Sequence, residues 1–228
     1  GAGLAGGDVY AYFLPLKQYY ADGLKAGELR FWNPRIGLGV PSLAESQTGV
    51  FYPPNLAAYR LLDLNSAFNA LLLGHYVLAY VFTVWAAQSV GLRLGPALLT
   101  ALVFVYGWFP PRACFEWAIT AGAWTPLALY LSIRWLQTGR SRWGCGLSAA
   151  LAVQLLAGHY QIAFITLLAL FVVSVALPID GVDGRSSLGR RAGILLFALC
   201  GCLMAGRSEE HTAELQSPCN LVCRLLLE

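Results

Sequence analysis

The residues of this sequence best suited to chemistry are polar side chains that stand beside long apolar runs. Asp8 lies in the segment GGDVYAYFLPL, where a carboxylate at a membrane surface can act as a general base or bind a cation. An aspartate at this position also suits the N-cap of a following helix. Both interpretations stay open from the residues alone.

A second group of polar residues interrupts or borders the apolar runs. His159 and Gln161, in LLAGHYQIAF, can bind a hydroxylated or anionic ligand, or they can satisfy backbone groups released by a helix break. Glu116 stands near the start of another apolar run, and because an ionised carboxylate is costly in hydrocarbon we expect it to face the protein interior. Arg112, four residues earlier, offers a simple ion pair as the alternative explanation.

Metal and nucleotide sites are not predicted. His75 has no second ligand at metal-binding spacing, so it is interpreted as a hydrogen-bonded interior histidine. No disulfide or zinc site is implied by the cysteines in or beside the apolar runs, which are Cys114, Cys145, Cys200 and Cys202. The sequence has no phosphate-binding loop, dinucleotide motif, nucleophile elbow or zinc-protease helix. We therefore expect no metal ion, and no cofactor is certain.

The elements that must position these residues are predicted to lie in a membrane. Charged residues make up 12% and hydrophobic residues 57% of the chain, whereas a soluble domain carries roughly 25% charged residues. The net charge of +3 is dispersed along loops, which argues against a nucleic-acid partner. The sequence predicts an all-α, polytopic integral membrane protein that has the lipid bilayer as its partner.

Residues 1–65 are predicted to form a first extracytoplasmic loop, and residues 66–206 a bundle of transmembrane helices. The loop is expected to contain an amphipathic helix along the membrane surface, within Val9–Leu29, and turns at prolines such as Pro53-Pro54. The apolar run after Trp143 is too long for one crossing, so the chain is expected to turn at Gly158-His159. The predicted helices cover residues 66–90, 96–109, 114–135, 143–157, 160–178 and 192–206.

Folding the chain at these breaks separates most arginines of the bundle from the loop. One side receives Arg93, Arg134, Arg140, Arg142, Arg185, Arg190 and Arg191. The positive-inside rule makes that side cytoplasmic. Asp8, Arg112, Glu116 and the Gly158-His159 turn then share the extracytoplasmic side, where they can meet.

The first and the last residues of the sequence support two further predictions. Gly1 opens directly onto polar loop sequence, so a transmembrane helix is expected before it. At Arg207 the hydropathy drops in the middle of a predicted helix, and RSEEHTAELQS differs only at Ala213 from RSEEHTSELQS, the translation of a common sequencing adapter. We interpret residues 207–228 as an assembly artefact, with a genuine polar tail as the alternative.

Several motifs in combination resemble the bacterial YfhO-type membrane proteins. That family typically shows an Asp followed by an aromatic residue and Pro, a WNP segment, an A-x-x-Q and YP pair, a W-x-P, and a GH-x-Q helix break. The matching positions are Asp8, Trp32-Asn33-Pro34, Gln47, Tyr52-Pro53, Trp124 with Pro126, and Gly158-His159 with Gln161. They span most of the chain before the unusual tail.

The resemblance implies a fold and an activity. The YfhO-type family is similar to the GT-C superfamily of polytopic glycosyltransferases, which transfer a sugar from a polyprenyl-phosphate carrier on the extracytoplasmic face. This implies a protein of the bacterial cytoplasmic (inner) membrane, with a lipid-linked sugar as donor and an envelope polymer, such as a teichoic acid, or a lipid as acceptor. Asp8 matches the position of the catalytic base. Candidates for substrate binding are Arg35, Arg112, Glu116, His159 and Gln161.

Two other classes of protein fit the same residues. A transporter or flippase would use the broken helix at the depth of the bilayer midplane, where it would need intramembrane charge. A glycosyltransferase needs Asp8 and His159 at the outer interface instead. A noncatalytic envelope-assembly protein would keep the fold without a working site.

Overall fold

The computed structural model describes residues 13–36, 38–42, 46–108, 116–177 and 184–206. Most of these residues are helical, and Trp32–Asn33 (β1) pairs antiparallel with Val40–Pro41 (β2). The α-helices are α1 (Leu14–Lys25), α2 (Pro53–Leu61), α3 (Leu64–Ser89), α4 (Leu94–Trp108), α5 (Glu116–Gly122), α6 (Thr125–Thr138), α7 (Ser141–Leu156), α8 (Tyr160–Ala176) and α9 (Gly184–Gly206).

Among the described residues, two helices are long and apolar enough to cross a membrane. They are α3 and the Ser187–Gly206 part of α9. The 26 residues of α3 extend about 39 Å, more than the roughly 30 Å of a hydrocarbon core. The N-cap residue of α3 is Asp63, whose carboxylate accepts a hydrogen bond from the Ser66 backbone N–H. Shorter apolar helices lie at Leu94–Gly107 and Tyr160–Ala176.

The segment before α3 packs onto the bundle through an apolar face of α1. Tyr20 and Leu24 of α1 join Tyr59 of α2 and Leu71 of α3 in one cluster. α1 occupies the middle of the predicted amphipathic helix, and its face is covered by protein. The sequence interpretation of Pro53-Pro54 as a turn was wrong, because these prolines begin α2. Proline suits the first turn of a helix, where its missing N–H would have no intrahelical partner.

The predicted helix over residues 114–135 is divided in the structure. Among the described residues, α5 ends at Gly122 and α6 starts at Thr125. Pro126 is the second residue of α6. Inside a continuous helix a proline at this position would remove one backbone hydrogen bond and clash with the carbonyl group of residue 122. The proline therefore explains why the two helices are separate.

A second break separates α7 from α8 at the predicted Gly158-His159 turn. Gly158 has φ of +92°, a conformation that glycine adopts without the steric penalty of a Cβ atom. Helices α6, α7, α8 and α9 share a core that includes Leu136, Leu147, Leu170 and Ile194. α9 begins at Gly184, eight residues before the predicted position.

Two arginines cap the C-terminal ends of two helices. Arg190 donates hydrogen bonds to the carbonyl oxygens of Leu136 and Gln137 at the end of α6, at 2.8 and 3.2 Å. Arg191 donates to the carbonyl oxygens at the end of α8, at Ser174, Val175 and Leu177. These carbonyls lack intrahelical partners, and a cation is favourable at the negative end of the helix dipole.

The bundle has two chemically different ends. The loop end is where α1 and α2 pack on the start of α3. The arginine end is where Gln137 Nε2 of α6 donates to the Ser89 carbonyl oxygen of α3, at 2.7 Å. It carries Arg93, Arg134, Arg140, Arg142, Arg190 and Arg191. The predicted separation of these arginines from the loop is therefore present in the structure.

Candidate functional site at the loop end

Tyr52 is the centre of a buried hydrogen-bond chain at the loop end. The Trp124 indole N–H donates to the Tyr52 hydroxyl oxygen at 2.8 Å, and that hydroxyl contacts His75 Nε2 at 2.5 Å. His75 Nδ1 lies 2.6 Å from the Leu71 carbonyl oxygen, which can only accept. His75 must therefore carry its proton on Nδ1, and the Tyr52 hydroxyl donates to Nε2. These contacts therefore determine which group donates and which accepts in each hydrogen bond of this series.

Lys17 and Glu116 form a buried ion pair beside this chain. Lys17 Nζ lies 3.4 Å from Glu116 Oε1, and only 2% and 3% of the two side chains are exposed. The ammonium also donates to the Thr48 carbonyl oxygen at 2.9 Å and lies 5.6 Å from the centre of the Tyr59 ring. Glu116 is the first residue of α5, where the helix dipole favours a negative charge. The pair joins the loop to the bundle.

Tyr52 and Tyr59 stay protonated at neutral pH. Burial raises the pKa of Tyr59, and the negative charge of Glu116 raises it further. Burial also raises the pKa of Tyr52, against the lowering effect of the Trp124 hydrogen bond. Both hydroxyl groups therefore keep their protons, and the Tyr52 hydroxyl can donate to His75.

Asn55 ties the turn that precedes α2 to the same cluster. Its amide donates to the carbonyl oxygens of Thr48 and Gly49, both at 3.1 Å. Gly49 has φ of +61°, and a Cβ atom there would lie 2.8 Å from the Asn55 amide nitrogen. Within the described part of the chain, Thr48 Oγ1, Asn55 Oδ1 and the Tyr59 hydroxyl have no hydrogen-bond partner. These buried groups leave the cluster with unused hydrogen-bonding capacity.

The two helix breaks meet at Tyr52 and Gln154. Tyr52 packs against Ala121 before the first break and against Ala157 and Ile162 on either side of the second. Gln154 Nε2 lies 3.0 Å from the carbonyl oxygen of Ala121, and within 3.1 Å of the hydroxyl oxygens of Thr125 and Thr166. The Ala121 carbonyl oxygen, which also accepts a 3.3 Å hydrogen bond from the Trp124 backbone N–H, thus has two partners inside the protein at the break, where an apolar environment would leave backbone groups unsatisfied.

The predicted site residues have different positions. Asp8 and Arg112 lie outside the described residues. Glu116 and His159 are buried at the loop end, whereas Gln161 is exposed. Arg35 is 65% exposed, and its guanidinium lies 3.8 Å from Asp22. Its described contacts are thus on the outer surface of the loop.

The ionic partner of Glu116 was missed by the sequence analysis. The sequence analysis offered Arg112, which lies outside the described residues, and it did not predict the pairing of Glu116 with Lys17 that the structure shows. Lys17 shares one face of α1 with Phe13, Leu16 and Tyr20, all of which are buried. A charge within an apolar stripe at helical spacing is the signal that could have found it. Tyr52 was noted only as part of a motif, and Gln154 was not singled out.

Comparison with known proteins adds no identification. No protein-family model, no curated protein and no solved structure matches the chain significantly. The part of the chain that the structure describes is mostly helical, and two of its helices are long and apolar enough to cross a membrane. Within the described ranges, no group of three or more His, Cys, Asp or Glu side chains is placed to hold a metal ion.

Removing the Tyr52 hydroxyl is expected to destabilise the loop end. In Tyr52→Phe the Nε2 atom of His75 and the indole N–H of Trp124 lose their common partner, and each buried group left unpaired costs about 1–3 kcal/mol. The melting temperature of the purified protein in detergent measures the effect. Tyr160→Phe, at an exposed tyrosine, is the matched control and should melt like the unsubstituted protein. Equal melting of both variants would contradict the hydrogen-bond chain.

Proposed function

We propose that the protein is a multi-pass membrane glycosyltransferase of the YfhO type with a GT-C-like fold. It moves a sugar from a polyprenyl-phosphate carrier to an acceptor of the bacterial cell envelope, on the extracytoplasmic face of the cytoplasmic membrane. The motif combination from Asp8 to Gln161 supports this proposal. The separation of the loop end from the arginine end supports the sidedness, because cytoplasmic ends carry the excess of arginine.

The observation that carries the proposal is the meeting of the loop with two helix breaks. Broken helices expose polar backbone groups, which a membrane protein tolerates only where protein or a water-filled cavity covers them. Here the breaks at Ala123-Trp124 and Ala157–His159 lie under Tyr52 of the loop. A loop packed over broken helices at one end of a bundle can hold the headgroup of a membrane lipid at the interface.

The chemistry needs few protein groups because a lipid-linked sugar is already activated. An acceptor hydroxyl oxygen attacks the anomeric carbon, and the bond from that carbon to the phosphate oxygen breaks. Polyprenyl phosphate leaves with the bonding electrons, and Asp8 receives the proton of the acceptor hydroxyl. Arg35 or Arg112 pairs with the phosphate, since guanidinium binds its oxygens bidentately. Inversion at the anomeric carbon is what the resemblance implies.

The other candidates at the loop end have positioning roles in this proposal. His159 and Gln161 orient oxygen atoms of the sugar or the phosphate at the second helix break. Glu116 neutralises Lys17 and so fixes α1, which follows Asp8 in the chain, against α5. The direct binding role first assigned to Glu116 is thereby replaced by an indirect one.

The position of the ion pair favours the transferase over a transporter. Transporters place their substrate and ion sites near the bilayer midplane. Lys17 belongs to the loop and Glu116 to the first turn of α5, so the pair lies at the loop end, and its two charges neutralise each other. A noncatalytic protein remains the third candidate, and the substitution of Asp8 distinguishes it.

A transfer assay tests the proposal. The intact protein is reconstituted in vesicles that contain polyprenyl-phosphate carrying a radiolabelled sugar, and envelope polymer is added outside. We expect labelled polymer to form together with free polyprenyl phosphate, and protein-free vesicles to produce neither. Movement of intact lipid-linked sugar between leaflets, with no labelled polymer, would instead identify a flippase.

A further inference from the structure

A groove between α3 and α6 lies at the arginine end, remote from the loop-end site. It has a volume of about 200 Å³ and is lined by Trp85, Gln88, Ser89, Tyr130 and Arg134. The rings of Trp85 and Tyr130 lie 5.9 Å apart. Gln88 stands thirteen residues after His75 on α3, which places the groove about 20 Å along the helix from the loop-end hydrogen-bond chain.

Arg134 has binding capacity that its protein contacts do not use. Its guanidinium lies 5.2 Å from the Trp143 ring centre, and Nη1 donates one weak hydrogen bond to Gln137, at 3.3 Å. Its Nε atom is buried and has no hydrogen-bond partner among the described residues. A guanidinium held on an aromatic ring is oriented and only weakly hydrated, which suits it to bind phosphate.

No described residue at the arginine end carries a negative charge. The carboxylates of the described residues lie in the loop segment or at the loop end, at Asp22, Glu28, Asp63 and Glu116. No described carboxylate pairs with an arginine of the arginine end, since the three ion pairs found all involve the loop segment. Among the described residues, the groove therefore opens where arginines have no carboxylate partner, and such positive charge attracts an anion.

An apolar stripe on α3 leads to the groove. Leu73, Val77 and Trp85 are exposed large side chains at spacings of four and eight residues, so they follow one ridge that winds around the helix by about 40° every four residues. An extended acyl chain can lie along this stripe, with its charged headgroup at the end where Gln88 and Arg134 stand. A soluble anion has no acyl chain that could pack against this stripe.

We propose that the groove binds the phosphate headgroup of an anionic phospholipid. Arg134 pairs with the phosphate oxygens, Gln88 donates to a headgroup oxygen, and Trp85 and Tyr130 hold the glycerol region at the interface. One acyl chain follows the Leu73–Trp85 stripe. The site is separate from the proposed sugar-transfer site and does not depend on that activity.

Lipid titration of the purified chain in detergent, read by native mass spectrometry, tests the proposal. We expect one molecule of phosphatidylglycerol to bind more tightly than phosphatidylcholine. Arg134→Gln should weaken phosphatidylglycerol binding about tenfold, the effect of losing a hydrogen bond to a charged group. Arg93→Gln, a charge at the same end but outside the groove lining, is the matched control and should bind like the unsubstituted chain.

Two further measurements keep the proposal falsifiable if Arg134→Gln does not fold. Gln88→Ala changes an exposed groove residue, and it should weaken phosphatidylglycerol binding while leaving the melting temperature unchanged. Inorganic phosphate should not displace the lipid at equal concentration. The lipid site would be overturned if Arg93→Gln weakened phosphatidylglycerol binding as much as Arg134→Gln does, or if phosphatidylcholine bound equally well. Unchanged phosphatidylglycerol binding by Gln88→Ala, or displacement of the lipid by phosphate alone, would also overturn it.

Discussion

Replacing Glu116 by Gln is expected to destabilise the protein by about 3–5 kcal/mol, because it leaves the ammonium of Lys17 buried without its counter-charge. Lys17 and Glu116 are both almost fully buried, so water cannot take over the missing interaction. Thermal unfolding of the purified chain in detergent measures the loss. Lys17→Met should cost a similar amount, because it leaves the carboxylate of Glu116 buried alone.

The double variant separates the ion pair from other causes of instability. Lys17→Met combined with Glu116→Gln removes both charges together, and we expect it to recover most of the lost stability. Asp22→Asn, which breaks the exposed pair with Arg35, is the matched control and should cost less than about 1 kcal/mol. Additive losses in the double variant would contradict the pairing. A full effect of Arg112→Gln alone would show that Arg112 is the true partner of Glu116.

Replacing Asp8 by Asn is expected to slow sugar transfer by about 10²- to 10⁴-fold, the usual contribution of a general base. The amide keeps the size of the side chain but cannot accept the proton of the acceptor hydroxyl. We expect kcat to fall while the KM for the lipid-linked sugar changes little, because the base acts in the transition state rather than in binding. Initial rates of polymer labelling with the intact protein measure both constants.

Asp63→Asn is the control for the substitution of Asp8. Asp63 is the N-cap of α3, and asparagine caps helices about as well as aspartate. This variant should transfer sugar at the unsubstituted rate and melt at the same temperature. Unchanged transfer by Asp8→Asn would remove Asp8 from the mechanism, whereas a complete lack of transfer by every form would favour the noncatalytic protein.

Much of the helix pattern could be predicted because it depends on local sequence. The apolar run that gives α3 ends at a charged turn, and the excess length after Trp143 requires a turn that only Gly158-His159 offers. The start of α2 at Pro53 and the break before Thr125 were not predicted. A proline stands in the first turn of both helices, Pro53 in α2 and Pro126 in α6. Proline breaks a helix in its interior but is well tolerated at its start, so the residue type alone does not show which of the two will occur.

The candidate site could be predicted only in part, because its contacts are between distant residues. Because an ionised carboxylate is costly in hydrocarbon, Glu116 is expected in the protein interior. This argument does not identify the cation that pairs with it. Arg112, four residues away, is the cation that local spacing offers, and Lys17 is the partner that the fold brings from the loop. The partners of Tyr52 likewise come from α3 and from the break before α6. Such choices depend on how α1 packs, which local spacing does not determine.

The functional proposal depends most directly on which side of the membrane the loop end faces. Lipid-linked sugars are used on the extracytoplasmic side in the proposed reaction, so the second helix break must be accessible there. Gln161 is exposed at this break, and Ser141 is exposed at the arginine end. Single cysteines at these two positions, in a chain whose six cysteines are replaced, report the two sides.

The decisive measurement is labelling of intact bacterial spheroplasts with a membrane-impermeant maleimide. The account predicts that Gln161→Cys reacts in intact spheroplasts, and that Ser141→Cys reacts only after the membrane is permeabilised. The opposite pattern, or labelling of both positions from outside, would contradict the orientation and with it the proposed site of sugar transfer.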